Sequence, residues 1–201
     1  EIGSGLVGSE MCIRDRSYGR AESWNLLIPD FMGGDSGRAF TRDGEMAKAL
    51  KPYGLESFAE QLPAYWGEQP YTAGPTYLGA AALFLALLGL LLASGRNKWW
   101  IAAVSLLTLL LAWGHNFMGF TEFAFKYLPG YNKFRTVSMA LVVVEWTVPL
   151  LAALALMPLW RGEVPRRKLL RALAWAGGIT GGFCLLFAVA GSAIFDFGRT
   201  E

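Results

Sequence analysis

TYLGAAALFLALLGLLLAS, residues 76–94, carries no charge over nineteen positions. As a helix rising 1.5 Å per residue it is long enough to span a hydrocarbon core about 30 Å thick. A GRNK turn follows at 95–98, and the apolar run returns over 99–114. The two runs predict a tight transmembrane hairpin whose shorter second arm tilts or extends into His115 and Asn116. Further apolar stretches at 137–159 and 172–194 bring the expectation to four spans. With 54% hydrophobic and 17% charged residues, the charges clustered between apolar runs, the chain reads as an all-α integral membrane protein.

Lysine and arginine set the expected orientation, because positive charge is retained on the cytoplasmic side of a membrane. The 161–171 connection, RGEVPRRKLLR, holds five of them, and the 95–98 turn holds Arg96 and Lys98. Both are therefore assigned to the cytoplasm. Loops 17–75 and 115–136, and the segment from 196 to 201, are assigned outward, flanking a transmembrane region at 76–195. Trp99, Trp100, Trp113, Trp160 and Trp175 fall at predicted span ends, where aromatic belts form. In the long 17–75 segment, helical patterns at 45–50 and 55–62 end at Pro52 and Pro63, and the rest is turn chemistry, which predicts an ordered loop. In the second loop Phe117, Phe120, Ala124 and Leu128 share one face of a short interfacial helix ended by Pro129 and Gly130. Gly177, Gly178, Gly181 and Gly182 form small-xxx-small patterns for close helix approach, within the polypeptide or in a dimer.

The chemistry is expected around PGYNKFRTVSMALVVVEWTVP, residues 129–149, where a basic loop runs into the third span. Glu145 shares a helical face with Ser138 and Pro149, about 12 Å inside the helix mouth. A charge at that depth normally faces a bundle interior or a wet cavity, and Pro149 frees the Glu145 carbonyl. Glu145 is the one catalytic candidate, with a structural ion pair as the alternative. Lys133 and Arg135 stand where a phosphate headgroup lies, Arg135 as a bidentate donor, with snorkelling to the interface as the other reading. Asn132 beside them and His115 at the end of the second span complete the candidate substrate-binding set.

Other chemistries find little footing. One histidine and two separated cysteines supply no metal-ligand spacing and no disulfide framework, so no metal site is assigned. No cofactor is called for, and a divalent metal is left open. Asp30, Asp35 and Asp43 are loop acids whose default role is solvation. Phosphate-cradling glycine loops, zincin helices and nucleophile elbows are missing from the sequence, and nothing in the charge pattern suggests nucleic acid.

Residues 5–16, GLVGSEMCIRDR, read as the translation of a transposase adapter used in sequencing libraries. On that reading residues 1–16 are an artefact and the chain is a fragment entered in mid-frame.

NLLIPDFMGG from Asn25, YWGEQPYTAGPTYLG from Tyr65, WGHN from Trp113 and PGYNKFRTVSM from Pro129 together resemble the YfhO-type family of bacterial multi-spanning membrane proteins. The resemblance runs over 17–201. It implies a larger bundle of the C-type glycosyltransferase-like fold in the bacterial cytoplasmic membrane, to which the remaining helices of a full-length chain contribute. It also implies transfer of a sugar from a polyprenyl-phosphate carrier to an envelope glycan or lipid acceptor, with the catalytic acid upstream of this chain and Lys133 and Arg135 in the phosphate-binding part. The competing readings are a transport or flippase-like protein with Glu145 along a polar path, and a non-catalytic envelope scaffold.

Overall fold

The computed structural model describes residues 17–37, 44, 48, 50–54, 61, 64–69, 72, 76–128 and 136–194. The adapter-like stretch, Asp43, nearly all of the 55–62 pattern, Asn132, Lys133, Arg135 and the tail from 196 lie outside these residues. Among the described residues the fold is helical, and the only strand-like feature is an isolated antiparallel bridge between Gly33 and Tyr65. Five α-helices follow in order: α1, Ala80–Leu92; α2, Asn97–Ala112; α3, Met118–Tyr127; α4, Leu141–Trp160; and α5, Arg166–Ile194.

Two helical segments are long and apolar enough to cross a membrane, Val137–Trp160 and Arg166–Val189, and a third crossing is reached only if the bent pair α2–α3 is one span. The expected span at 76–94 shortens to the thirteen residues of α1. The N–H groups of Leu78 and Gly79 instead donate to the Leu26 carbonyl at 3.3 and 3.1 Å, and Gly79 takes φ +97, which holds the chain out of the helix. At the other end Ala93 is extended, and Lys98 Nζ donates to the Leu90 and Ala93 carbonyls at 2.8 Å each. Lys98 thus closes the α1 terminus, a cation meeting the negative end of the helix dipole.

The second arm does run on past Ala112, but as a short 3₁₀ turn, Gly114–Phe117, after which α3 leaves at 112° to α2. The short helix predicted in this loop is present as α3. Its Phe120 and Ala124 pack toward Leu111 and Val137, while Phe117 and Leu128 are exposed. The last helix begins at Arg166, so Arg166, Arg167, Lys168 and Arg171 occupy its first turns and the loop before it is short. At twenty-nine residues α5 is about 44 Å long. That exceeds the thickness of a bilayer core.

The α1–α4 pairing is the most extensive contact between helices, followed by α2–α4. Gly89 on α1 makes it close: a Cβ there would overlap the carbonyl oxygen of Leu151. Small residues bring helices together in lipid, where van der Waals packing and interhelical hydrogen bonds replace the hydrophobic effect as the driving force. One such bond joins Ser105 Oγ to Thr147 Oγ1 at 2.6 Å, between α2 and α4. Within the chain, Gly177, Gly178, Gly181 and Gly182 of α5 make no such close approach. Gly177 would meet only Phe84 at 3.9 Å, and Gly178, Gly181 and Gly182 face open space. Leu88, Leu92, Ala155, Ala172 and Ala176 form the core between α1, α4 and α5. Large apolar side chains ring the outside, among them Trp99, Trp100, Val142, Trp146, Trp160, Trp175 and Val189. So continuous an exposed apolar surface marks a membrane or an interface.

The 17–37 segment closes one end of this bundle. Tyr18 N donates to the Ala112 carbonyl at the end of α2, Leu26 accepts from the entry to α1, and Trp24 packs on Phe183 and Phe187 of α5, with ring centroids 5.1 and 4.5 Å apart. Trp113 Nε1 donates to Ser23 Oγ at 2.8 Å, His115 N to Ser17 Oγ at 2.8 Å, and Asn116 Nδ2 to the Tyr18 carbonyl at 3.1 Å. The WGHN motif is therefore a clamp that holds the loop to the helix end.

Candidate functional site

The 3₁₀ helix Ala21–Leu26 sits at the centre of that closed end. Its tight turn sends Glu22 and Asn25 to one side and Ser23, Trp24 and Leu26 to the other. Each side lines a cavity.

On the polar side Glu22 is 2% exposed and its carboxylate accepts four hydrogen bonds. Gly19 N and Gln69 Nε2 donate to Oε2 at 3.0 and 3.1 Å, Glu68 N donates to Oε1 at 2.8 Å, and the Tyr65 hydroxyl donates to Oε1 as well. All four partners are donors, the complement a carboxylate needs when it is taken out of water. Gly67 passes so close that a Cβ would overlap both Glu22 Oε1 and the Tyr65 hydroxyl. Tyr18 donates to the Glu22 backbone carbonyl at 2.7 Å.

Burial pushes the Tyr18 hydroxyl well above the usual tyrosine range, the Glu22 charge adds to the rise, and the neighbouring Asn25 amide partly offsets it. Tyr65 is raised more, first by burial, then by its hydrogen bond to Glu22 and that group's charge, with the Gln69 N–H acting the other way. Both phenols are therefore neutral donors at ordinary pH.

Beside this network lies a cavity of about 230 Å³, walled by Tyr18, Glu22, Asn25, Tyr65, Gln69 and Ser138, with Leu141 of α4 beneath. Asn25 Oδ1 accepts from Met32 N at 3.1 Å, while its Nδ2 is buried with no hydrogen-bond partner of ordinary geometry. Across Ala21–Leu26 lies an apolar groove of about 360 Å³ between α1, α2, α4 and α5, lined by Trp24, Leu83, Ala86, Leu109, Val148 and Phe183 among others. Along α4 the polar cavity meets Ser138 and Leu141, and the groove meets Val144, Val148 and Leu151. Ser138 and Leu151 are separated by about 20 Å of helix.

The sequence-predicted residues are distributed differently. Glu145 lies on an exposed face of α4 and lines neither cavity. α4 continues through Pro149 and Pro158, and its buried stripe is Leu141, Val144, Val148, Leu151 and Ala155, so the face carrying Glu145 and Pro149 is turned away from α1 and α2. His115 stands in the clamp with Nδ1 buried and unpartnered, outside both cavities. Asp30 is an exposed turn residue at φ 51, and Asp35 Oδ1 accepts from Gly37 N at 2.7 Å to close a turn. Among the described residues no group of three His, Cys, Asp or Glu converges for a metal.

Glu22, Asn25, Tyr18 and Tyr65 were not anticipated as site residues. The only local signal was an acid and an amide placed against the apolar-aromatic run that continues to Ile28. No family model matches the chain, and no curated protein or solved structure does either.

Proposed function

We propose that this protein binds a lipid-linked sugar at the outer face of the bacterial cytoplasmic membrane, with the polar head in the Glu22–Asn25 cavity and the lipid chain in the apolar groove. The observation that carries the reading is the pairing of the two cavities across Ala21–Leu26, polar on one side and apolar on the other. An amphiphile with a compact head and a long chain is the ligand class whose chemistry changes over that distance.

Four spans fit this reading. The start of α1, the end of α2, the start of α4 and the Phe183–Phe187 region of α5 all meet the 17–37 segment, so the four helices alternate in direction. Arg96, Lys98, Arg166, Arg167, Lys168 and Arg171 gather at the opposite end, which the charge rule assigns to the cytoplasm. Lys133, Asn132 and Arg135 lie outside the described residues; their charge and hydrogen-bonding capacity suit them to the phosphate between head and chain.

On this proposal the chain belongs to the YfhO-type, C-type glycosyltransferase-like enzymes, and the bound molecule is a polyprenyl-phosphate sugar destined for an envelope acceptor. Glu22 is then a positioning residue: its four donors occupy both oxygens, which leaves it no lone pair for proton abstraction from an acceptor. A transport path along Glu145 has less support, since neither cavity reaches that residue.

Native mass spectrometry of the full chain in lipid nanodiscs, loaded with a polyprenyl-phosphate hexose, tests the proposal. One carrier retained per chain, with retention lost in Ala86→Phe, which fills the groove, is the expected result. Equal retention of phosphatidylglycerol, or no effect of Ala86→Phe, would overturn it.

A further inference from the structure

Seven cations and one acid occupy the stretches 95–98 and 161–171, where α1 and α4 end and α2 and α5 begin. The helix ends meet there, with Leu92, Leu159 and Leu169 packed in one core with Ala172. Two of the cations are used within the fold. Lys98 closes the α1 terminus, and Arg161 pairs with the acid, Glu163, at 3.8 Å. Arg166, Arg167, Lys168 and Arg171 are exposed and, among the described residues, pair with no acid. Lys98 meets the negative end of a helix dipole, but these four stand at the positive end of α5, whose first turn holds no acidic residue. Cations there repel the dipole and one another, and an anion brought between them relieves both.

Geometry singles out two of the four. Arg167 and Arg171 lie one turn apart, and Trp175 follows one turn further, 67% exposed. All three are turned away from Ala172 and Ala176, which pack into the core with α1 and α4. Two guanidiniums at i and i+4 form a fork for a single phosphate. Trp175 stands about 6 Å further along the helix, the place of an indole ring at the boundary between headgroups and chains. Beyond it Leu185 and Val189 carry the same face onward as exposed apolar surface. An anionic head continued by apolar chains is the chemistry of a phospholipid, whereas an acidic peptide leaves that apolar face bare. A zwitterionic choline headgroup would add a cation to four already crowded, so net negative charge is selected. Retention of positive charge on one side of a membrane needs cations anywhere in the connection, and accounts for neither the shared face nor Trp175.

We propose that Arg167, Arg171 and Trp175 form a site for one anionic phospholipid of the bilayer, its phosphate between the two guanidiniums and a chain lying along α5 past Leu185. The apolar segment 172–194, about 34 Å as a helix, then fills the hydrocarbon core and sets both arginines at phosphate level. Arg167 is about 24 Å along α5 from Phe183, and none of the three residues lines either cavity, so this site is independent of the ligand proposed for them.

Bromolipid quenching of tryptophan fluorescence tests the site, on the full chain in nanodiscs of phosphatidylglycerol and phosphatidylcholine with bromine on the chains of one lipid or the other. The difference between wild type and Trp175→Phe isolates the Trp175 signal. Brominated phosphatidylglycerol is expected to quench it in preference to brominated phosphatidylcholine. Arg167→Gln/Arg171→Gln should lower the relative affinity roughly twenty-fivefold, about fivefold for each basic residue at an anionic surface. Arg96→Gln/Arg161→Gln removes the same charge from the same end and is expected to keep the preference. Melting in lipid-free detergent micelles checks the fold: Arg167→Gln/Arg171→Gln should melt at or above wild type, because two cations leave the positive end of the dipole. Equal quenching by the two bromolipids, equal loss in the two double variants, melting of Arg167→Gln/Arg171→Gln below wild type, or relief of the quenching by a poly-glutamate peptide overturns the site.

Discussion

Tyr65 donates its phenolic hydrogen to Glu22 across 43 residues of sequence, and that bond ties the segment 64–69 to the 3₁₀ helix that separates the two cavities. The same carboxylate holds two backbone N–H groups and the Gln69 amide, so one side chain joins two stretches of loop, 17–26 and 64–69. A buried acid with every lone pair matched is a structural keystone whose removal leaves its donors unpaired.

Glu22→Ala is accordingly expected to destabilise the closed end by at least about 3 kcal/mol, since hydrogen bonds to a buried charge are worth about 1.5–3 kcal/mol each and several are lost. Glu22→Gln, which keeps one acceptor oxygen, should cost about half as much. Thermal melting in detergent micelles, followed by tryptophan fluorescence, checks the order. Equal melting of wild type and Glu22→Ala contradicts it.

Stability should fall in alkali. Tyr18 and Tyr65 both have folded-state pKa values raised above the ordinary 10, so between that value and the folded one the native chain holds protons that the unfolded chain has released. Their contribution is complete below pH of about 10 and declines above it, by about 1.4 kcal/mol per pH unit for each phenol. Denaturation monitored with tyrosinate absorbance over pH 9 to about 12 measures the slope, and Tyr65→Phe should roughly halve it.

Gly89→Ala is expected to cost about 1–3 kcal/mol, because the added methyl meets the Leu151 backbone, which cannot move aside as a side chain does. Gly178→Ala, on the exposed face of α5, should leave melting unchanged or slightly raised. Melting curves that do not separate the two variants would show that α1 and α4 are not held at this crossing.

Glu145→Leu removes a charge from an exposed, apolar face of α4, and lipid penalises such a charge. The expected outcome is a severalfold rise in membrane-inserted chain with carrier retention unaffected. A fall in inserted protein would instead identify Glu145 as one half of an ion pair with a helix that packs on this face.

The helices were legible because their signal is local. An uncharged run at 76–94 or the apolar stretch entered at Val137 declares itself from its own residues, and so do the aromatic face of α3 and the basic cluster in the first turns of α5. The boundaries were less so: α1 starts late, after Gly79, because Leu26, far upstream, takes the backbone N–H groups of Leu78 and Gly79. The small-residue patterns of α5 were plain in the sequence, yet the close approach belongs to Gly89, a single glycine whose importance depends on Leu151 standing opposite. Periodicity put Glu145 and Pro149 on one face, but Ser138, in the 3₁₀ turn Val137–Ala140 before α4, lines the polar cavity instead. Which way that face points was beyond it.

By itself the sequence determined that the molecule is helical, that its helices are apolar enough to suit a membrane, and where positive charge clusters along the chain, because hydropathy and charge act residue by residue against the solvent. Only the tertiary structure decided where the polar chemistry sits. Tyr18, Glu22, Asn25, Tyr65 and Ser138 come from three separate stretches, and no rule of spacing links them. They share a cavity because the desolvated Glu22 carboxylate requires donors from several segments at once, and folding the loop onto the helix ends is what brings those donors together.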